Sequence, residues 1–237
     1  MRSIYSSDSS LLIYYGTGGL ASLSSYRRVV LQYGHHDVHE VVALRRAGTQ
    51  PLVYLSLGED TGPPAAWQRP TRNPWWGGAL VDPTHPGWIT RVTTTVERAL
   101  AYGYAGVFCD TLDAAMSGPE RSAMIALVRH LKGRVGSRAV LVNRAAAIAS
   151  AIAPYVDGFV FEGFSTTWLD GYQALPPLAL EGNVERLECY RAAGRPVFAL
   201  DYADDVELAS FARARAATHG LASQVSNRML TALPDAS

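Results

Sequence analysis

The sequence predicts an α/β protein: a compact (β/α)8 TIM barrel that takes residues 1–237 as one domain. Three observations predict it. Eight short runs rich in Val, Ile, Leu, Phe and Tyr recur along the chain, and helix-like stretches lie between most of them. The runs are continuously apolar rather than alternating, as in a parallel sheet covered on both faces. Each run is followed by Gly or a polar residue, and the barrel fold gathers its chemistry at those carboxyl ends. An open doubly wound sheet is the alternative arrangement.

The elements follow in order. Leu11–Tyr15 (LLIYY) leads into GTGG, an incomplete match to a phosphate cradle that reads as a turn. Arg28–Tyr33 (RVVLQY) passes through GHHDVHE into a helix over Val38–Ala47. Leu52–Leu57 (LVYLSL) ends at Glu59 and Asp60, and a long irregular piece, Asp60–Gly87, holds six of the thirteen Pro and three of the five Trp before a helix over Trp88–Tyr102. Gly106–Cys109 ends at Asp110 and Asp113, ahead of a helix over Pro119–Val135. Ala139–Val142 ends at Asn143, and Gly158–Phe161 ends at Glu162 with a helix over Leu178–Ala193 beyond. Val197–Leu200 ends at Asp201 and Asp204, the helix over Asp205–His219 follows, and Leu221–Val225 is the eighth run. Asp204 and Asp205 stand where N-caps belong.

Composition removes several function classes. Lys+Arg and Asp+Glu both number 21, so the basic excess of a nucleic-acid binder is missing. No apolar stretch is long enough to span a membrane. The N-terminus shows no apolar run followed by a small-residue cleavage site, so no secretion signal is read. Lys132 is the only lysine and sits late in a helix, poorly placed for Schiff-base or pyridoxal chemistry. Cys109 and Cys189 are too few for a disulfide scaffold or a zinc site. No GxSxG elbow is present.

Carboxylates ending several buried strands are costly unless they do something. Capping the next helix is the alternative use for any one of them, and for Asp113 the two uses are evenly matched. Two carboxyl groups facing each other across a barrel mouth suit glycoside hydrolysis, where one stays protonated and the other ionised. All five tryptophans (Trp67, Trp75, Trp76, Trp88 and Trp168) fall in or beside the loops after the third and sixth runs. Indole faces there would stack on sugar rings, or else anchor the loops.

Those residues carry a resemblance. YLSLGED (Tyr54–Asp60), VDPTHPGW (Val81–Trp88), GVFCDTLD (Gly106–Asp113), VLVN (Val140–Asn143), DGFVFEGF (Asp157–Phe164) and VFALDYAD (Val197–Asp204) resemble, in order, glycoside hydrolase family 114, the endo-α-1,4-polygalactosaminidases. The resemblance implies a (β/α)8 barrel acting without metal or cofactor, with Asp110 and Glu162 as the catalytic pair. By similarity to other retaining barrel glycosidases, Asp110 is the nucleophile and Glu162 the acid/base. It further implies that Glu59, Asn143, Asp201 and Tyr202 line the cleft, and the strand-end and tryptophan readings add Asp60, Asp113, Trp75, Trp76 and Trp168 as substrate-binding residues. A secreted or cell-surface monomer acting on an exopolysaccharide is the expectation.

The charges of the expected rim agree with an amino-sugar substrate. Glu59, Asp60, Asp82, Asp110, Asp113, Glu162, Asp201 and Asp204 stand against Arg69, Arg72 and Arg144, which would draw a cationic polymer. Three other functions compete: a barrel that binds saccharide without cutting it, a hydrolase of another amino-sugar polymer, and a metallohydrolase using His36, His39 and Glu40.

Overall fold

The computed structural model describes residues 11–114 and 117–233. Strands β1 (Leu11–Ile13), β2 (Arg28–Leu31) and β3 (Gln50–Ser56) come first, followed by three short strands, β4 (Glu59–Asp60), β5 (Gln68–Arg72) and β6 (Ala79–Val81). Next come β7 (Gly106–Asp110), β8 (Ala139–Asn143) and β9 (Gly158–Glu162), then a hairpin of β10 (Thr166–Thr167) and β11 (Gln173–Ala174). Strands β12 (Val197–Tyr202) and β13 (Ala222–Ser226) complete the order. The barrel sheet runs β1-β2-β3-β7-β8-β9-β12-β13 and every neighbouring pair in it is parallel. This is the TIM-barrel arrangement that the sequence predicts, not the open sheet.

Between β13 and β1 a side chain replaces the backbone ladder. The Gln224 amide accepts from the Ile13 N–H and donates to the Ile13 carbonyl, both at 2.8 Å. One side chain thus satisfies both backbone groups that an unpaired edge would leave open.

Among the described residues seven α-helices wrap the sheet: α1 (Leu20–Leu23), α2 (Val38–Arg46), α3 (Pro86–Tyr102), α4 (Gly118–Val135), α5 (Ala149–Ile152), α6 (Pro177–Ala192) and α7 (Val206–Thr218). Their starts are written in the sequence. Asp37 with Glu40, and Ser117 with Glu120, form reciprocal capping boxes at α2 and α4, and Asp205 caps α7 by accepting from Leu208 N–H. Among the described residues no helix is long and apolar enough to cross a membrane.

Two corrections concern loops. Asp60–Gly87, expected to be irregular, contains an antiparallel sheet in which β6 pairs with both β4 and β5. Alternation in strands of two to five residues is too brief to read from sequence. Trp67 and Trp88, expected near a sugar-binding rim, instead pack inward. Trp88 is buried in the first turn of α3 with its indole N–H on the Leu57 carbonyl, and Trp67 leans against it.

The core has two shells. Val29, Val53, Val107, Cys109, Val142, Phe159 and Phe161 pack outward beneath the helices. Ile13, Val30, Leu52, Phe108, Leu141, Val160 and Leu200 fill the barrel interior. Both shells come from the same strands because successive side chains take opposite faces. The sheet's buried runs therefore look uniformly apolar.

Candidate active site

The candidate site is the next inward layer above that interior. Two residues after Leu52, Phe108, Leu141, Val160 and Leu200 come Tyr54, Asp110, Asn143, Glu162 and Tyr202. A period of two on five strands brings these five polar groups into one ring, although they are far apart in sequence.

The ring is tightly bonded. Asn143 Nδ2 donates to Asp110 Oδ1 at 2.8 Å and to Glu162 Oε2 at 2.5 Å. The two distances together, about 5.3 Å, are the most by which those two oxygens can be separated. Tyr54 Oη donates to Asp110 Oδ2 at 2.9 Å, and Tyr202 Oη donates to Glu162 Oε1 at 2.5 Å. The Thr111 N–H adds a third bond to Asp110, at Oδ1 and 2.7 Å. Asn143 Oδ1 is buried and has no partner among the described residues.

The two acids share one direction of shift and differ in the groups that oppose it. Burial raises the pKa of both carboxyl groups, because a low-dielectric site disfavours the charged form. At Asp110 the bonds from Asn143, Tyr54 and Thr111 oppose that rise, and the charge of Asp113 adds to it. At Glu162 the charge of Asp110 adds to it, with Tyr202, Asn143 and the more distant Arg144 opposing. Burial and the neighbouring carboxylates also push the Tyr54 and Tyr202 phenols upward, so they remain protonated donors.

The other expected residues divide. Glu59 lies close enough for the charges of Asp110 and Asp113 to raise its pKa, which burial raises first, and Asn73 Nδ2 holds its Oε1 at 2.8 Å. Asp113 pairs with Arg144 at 3.2 Å on the half-exposed rim. Asp60 points away from the ring. Its carboxylate accepts from Trp67 Nε1, Gln68 Nε2 and Gly62 N–H, tying up the small sheet. Asp201 also faces away, being one residue out of phase with Tyr202. Its Oδ1 receives the Ser165 and Thr166 N–H groups, anchoring the loop after β9.

Trp168 meets Trp75 and Trp76 edge to face, with centroids 5.4 and 5.5 Å apart. The Arg228 guanidinium lies over Trp168 at 4.1 Å and Trp76 at 4.7 Å. One face of each of those two indoles is therefore covered by a cation, while Trp75 and Trp76 are each 48% exposed.

His36 is buried with Nε2 3.0 Å from the Gly18 carbonyl, and Glu40 returns to the Asp37 N–H in the cap of α2. Lys132 pairs with Asp157 at 3.1 Å. Burial pushes the Cys109 thiol up to about 12, which makes it a poor nucleophile.

Sequence reading missed Tyr54, Asn73 and Thr111. Tyr54 lies two residues beyond Leu52 on the inward face, a phase that the apolar run LVYLSL does not reveal. Nothing local marks Asn73, which reaches Glu59 only through the fold of its loop.

Residues 28–235 match the model of glycoside-hydrolase family GH114. The chain belongs to that family. A GH114 assignment accords with the solved structures that superpose on it. The glycoside hydrolase domain of PelA from Pseudomonas aeruginosa, in a glutamate-to-alanine variant, is 27% identical with a TM-score of 0.84, covering 95% of this chain and 97% of that one. Aspergillus fumigatus Ega3, solved in complex with galactosamine, shares the fold at 14% identity with a TM-score of 0.73, covering 93% and 91%. An uncharacterized protein of Deinococcus radiodurans is 27% identical over 206 residues, 77% of this chain. The chain spans 65% of the length of that relative.

Proposed function

We propose that this GH114 chain is an endo-acting glycoside hydrolase that cleaves α-1,4-linked galactosamine-containing polysaccharide by a retaining double displacement. The single observation that carries the proposal is the Asn143 amide bonded to both Asp110 and Glu162. It keeps one oxygen of each acid within about 5.3 Å of the other, which supports the roughly 5–5.5 Å spacing of a retaining pair over the roughly 6.5–9.5 Å that leaves room for a water. Support for the sugar class comes from galactosamine bound to Ega3 and from the carboxylates Glu59, Asp110 and Asp113 around the ring.

The hydrogen bonds distribute the roles. Asp110 accepts three bonds that favour its ionised form, so it is the nucleophile. Glu162 accepts two and feels the Asp110 charge, so it keeps the proton. In the first step an Asp110 oxygen bonds to the anomeric carbon as the glycosidic C–O bond breaks, and Glu162 gives its proton to the departing oxygen. In the second step Glu162 takes a proton from water, whose oxygen displaces Asp110 from that carbon. Asn143 Oδ1 is left to accept from a sugar O–H or N–H.

The test combines Asp110→Asn and Glu162→Gln with product analysis on deacetylated and partly acetylated galactosaminogalactan. Both variants are expected to lose release of oligosaccharides, and newly formed ends should keep the α configuration by NMR. Near-wild-type release by either variant overturns the pair, and β ends overturn the retaining course. Binding by the wild type with no new ends over long incubation would leave only a saccharide-binding barrel.

A further inference from the structure

We infer that Thr111 is a positioning residue whose hydroxyl fixes the peptide plane that aims Asp110. The inference rests on the proposal that Asp110 is the nucleophile. Thr111 follows directly on β7 and has φ of 63°, a left-handed conformation that a β-branched residue rarely adopts. The other described non-glycine residues with positive φ are Arg144, Ala145, Asp170 and Leu230, none of them β-branched. Such a conformation persists only where the surroundings over-determine it.

They do so here. Positive φ turns the Thr111 Cβ back toward the carbonyl of Asp110, and Oγ1 lies 2.6 Å from that oxygen. The same Oγ1 accepts the Gly58 N–H at 2.8 Å and the Leu57 N–H at 3.2 Å, and lies 2.9 Å from Ser56 Oγ. Leu57 N–H also donates to the Asp110 carbonyl at 2.9 Å. One hydroxyl therefore ties the end of β3 to the end of β7. Gly58 is required for this approach, because a Cβ there would sit 2.3 Å from the Thr111 carbonyl oxygen.

The consequence falls on Asp110. The carbonyl held by Thr111 Oγ1 and Leu57 belongs to the peptide unit joining residues 110 and 111. Because that unit is planar, holding its carbonyl edge also fixes its N–H edge. That N–H donates to Asp110 Oδ1 at 2.7 Å, on the oxygen that also receives Asn143. Losing the hydroxyl frees the plane to rotate, weakens a bond that favours the ionised carboxylate, and loosens the carboxylate in its attack position.

Three substitutions test this. Thr111→Val keeps the shape and removes the hydroxyl, Thr111→Ser keeps the hydroxyl, and Thr111→Gly removes the hydroxyl and relieves the backbone. In T111V, kcat should fall by roughly tenfold to a hundredfold with KM within about twofold. The acid limb of its pH–rate profile should move to higher pH. T111S should keep kcat within about threefold. T111G should behave as T111V does, and it carries the same test if T111V does not fold. The titration of the Asp110 carboxyl, followed by 13C NMR of labelled aspartate, should rise by about one pH unit in T111V and T111G and stay in place in T111S. This readout needs no substrate, so it separates failure of the positioning role from failure of the proposed reaction. Wild-type kcat and an unmoved Asp110 titration in folded T111V or T111G overturn the inference. So does a T111S variant as impaired as T111V.

Discussion

Asp110 and Glu162 are held at an energetic cost, and that cost can be measured. Both have a folded-state pKa raised by burial, so the folded protein binds protons more tightly than the unfolded chain. Their contribution is most favourable below the unfolded carboxyl pKa and is lost as pH rises through the raised folded value. Neutral replacements that keep the shape should therefore stabilise the fold near neutrality. Glu162→Gln is expected to raise Tm by roughly 2–4 °C at pH 7 and to have little effect at pH 4. The same variant should lose roughly 10²–10⁴-fold in kcat. Calorimetry at the two pH values checks the first expectation, and an unchanged or lower Tm at pH 7 would contradict it. In the wild type, kcat/KM should be bell-shaped, with its acid limb from ionisation of Asp110 and its alkaline limb from loss of the Glu162 proton. Both limbs should lie above the ordinary carboxylate range.

Two elements outside the ring support it through identifiable contacts. Gln224 joins β13 to β1, and Gln224→Ala would leave the N–H and carbonyl of buried Ile13 without partners. The expected cost is about 2–4 kcal/mol in urea unfolding. Gln224→Glu should be comparably harmful, because it sets a carboxylate oxygen against the Ile13 carbonyl. The small sheet of β4, β5 and β6 depends instead on Asp60, which gathers Trp67, Gln68 and Gly62. This sheet carries Glu59 and, in the turn between β5 and β6, Asn73, so loosening it should disturb substrate contacts rather than chemistry. Asp60→Ala is expected to raise KM several-fold, leave the pH–rate profile in place, and speed amide exchange over residues 60–82. A shifted profile would instead place Asp60 in the reaction.

At the scale of the whole molecule, the formal charge of zero conceals an uneven distribution. Several arginines are engaged in local pairs: Arg69 with Glu120, Arg134 with Glu97, and Arg191 with Glu188. Near the ring, Glu59, Asp110 and Asp113 are set against Arg144, which is itself paired with Asp113. A mouth of that sign should concentrate a cationic polymer over distances near the screening length, about 10 Å at 0.1 M salt. Accordingly, kcat/KM on a deacetylated polymer should fall as salt is raised from 20 to about 300 mM, while a fully acetylated one should show little change. Equal salt dependence for both polymers would remove charge from the account of specificity.

The sequence by itself determined the barrel, because eight covered strands leave eight continuous apolar runs and their order follows the chain. It also marked Asp110, Asn143 and Glu162, since the carboxyl ends of inner strands are where polar residues break those runs, whereas Tyr202 was marked only by the family resemblance. Strand phase it could not supply. Asp201 and Tyr202 are adjacent in sequence and lie on opposite faces of β12, and only the register of the sheet shows which one meets Glu162. Nor could it distinguish an indole that binds sugar from one that packs. Trp67 and Trp88 turn inward and Trp168 lies beneath Arg228 because contacts between loops distant in sequence decide each orientation. A side chain's type is local, but its face, its partner and hence its pKa belong to the closed barrel.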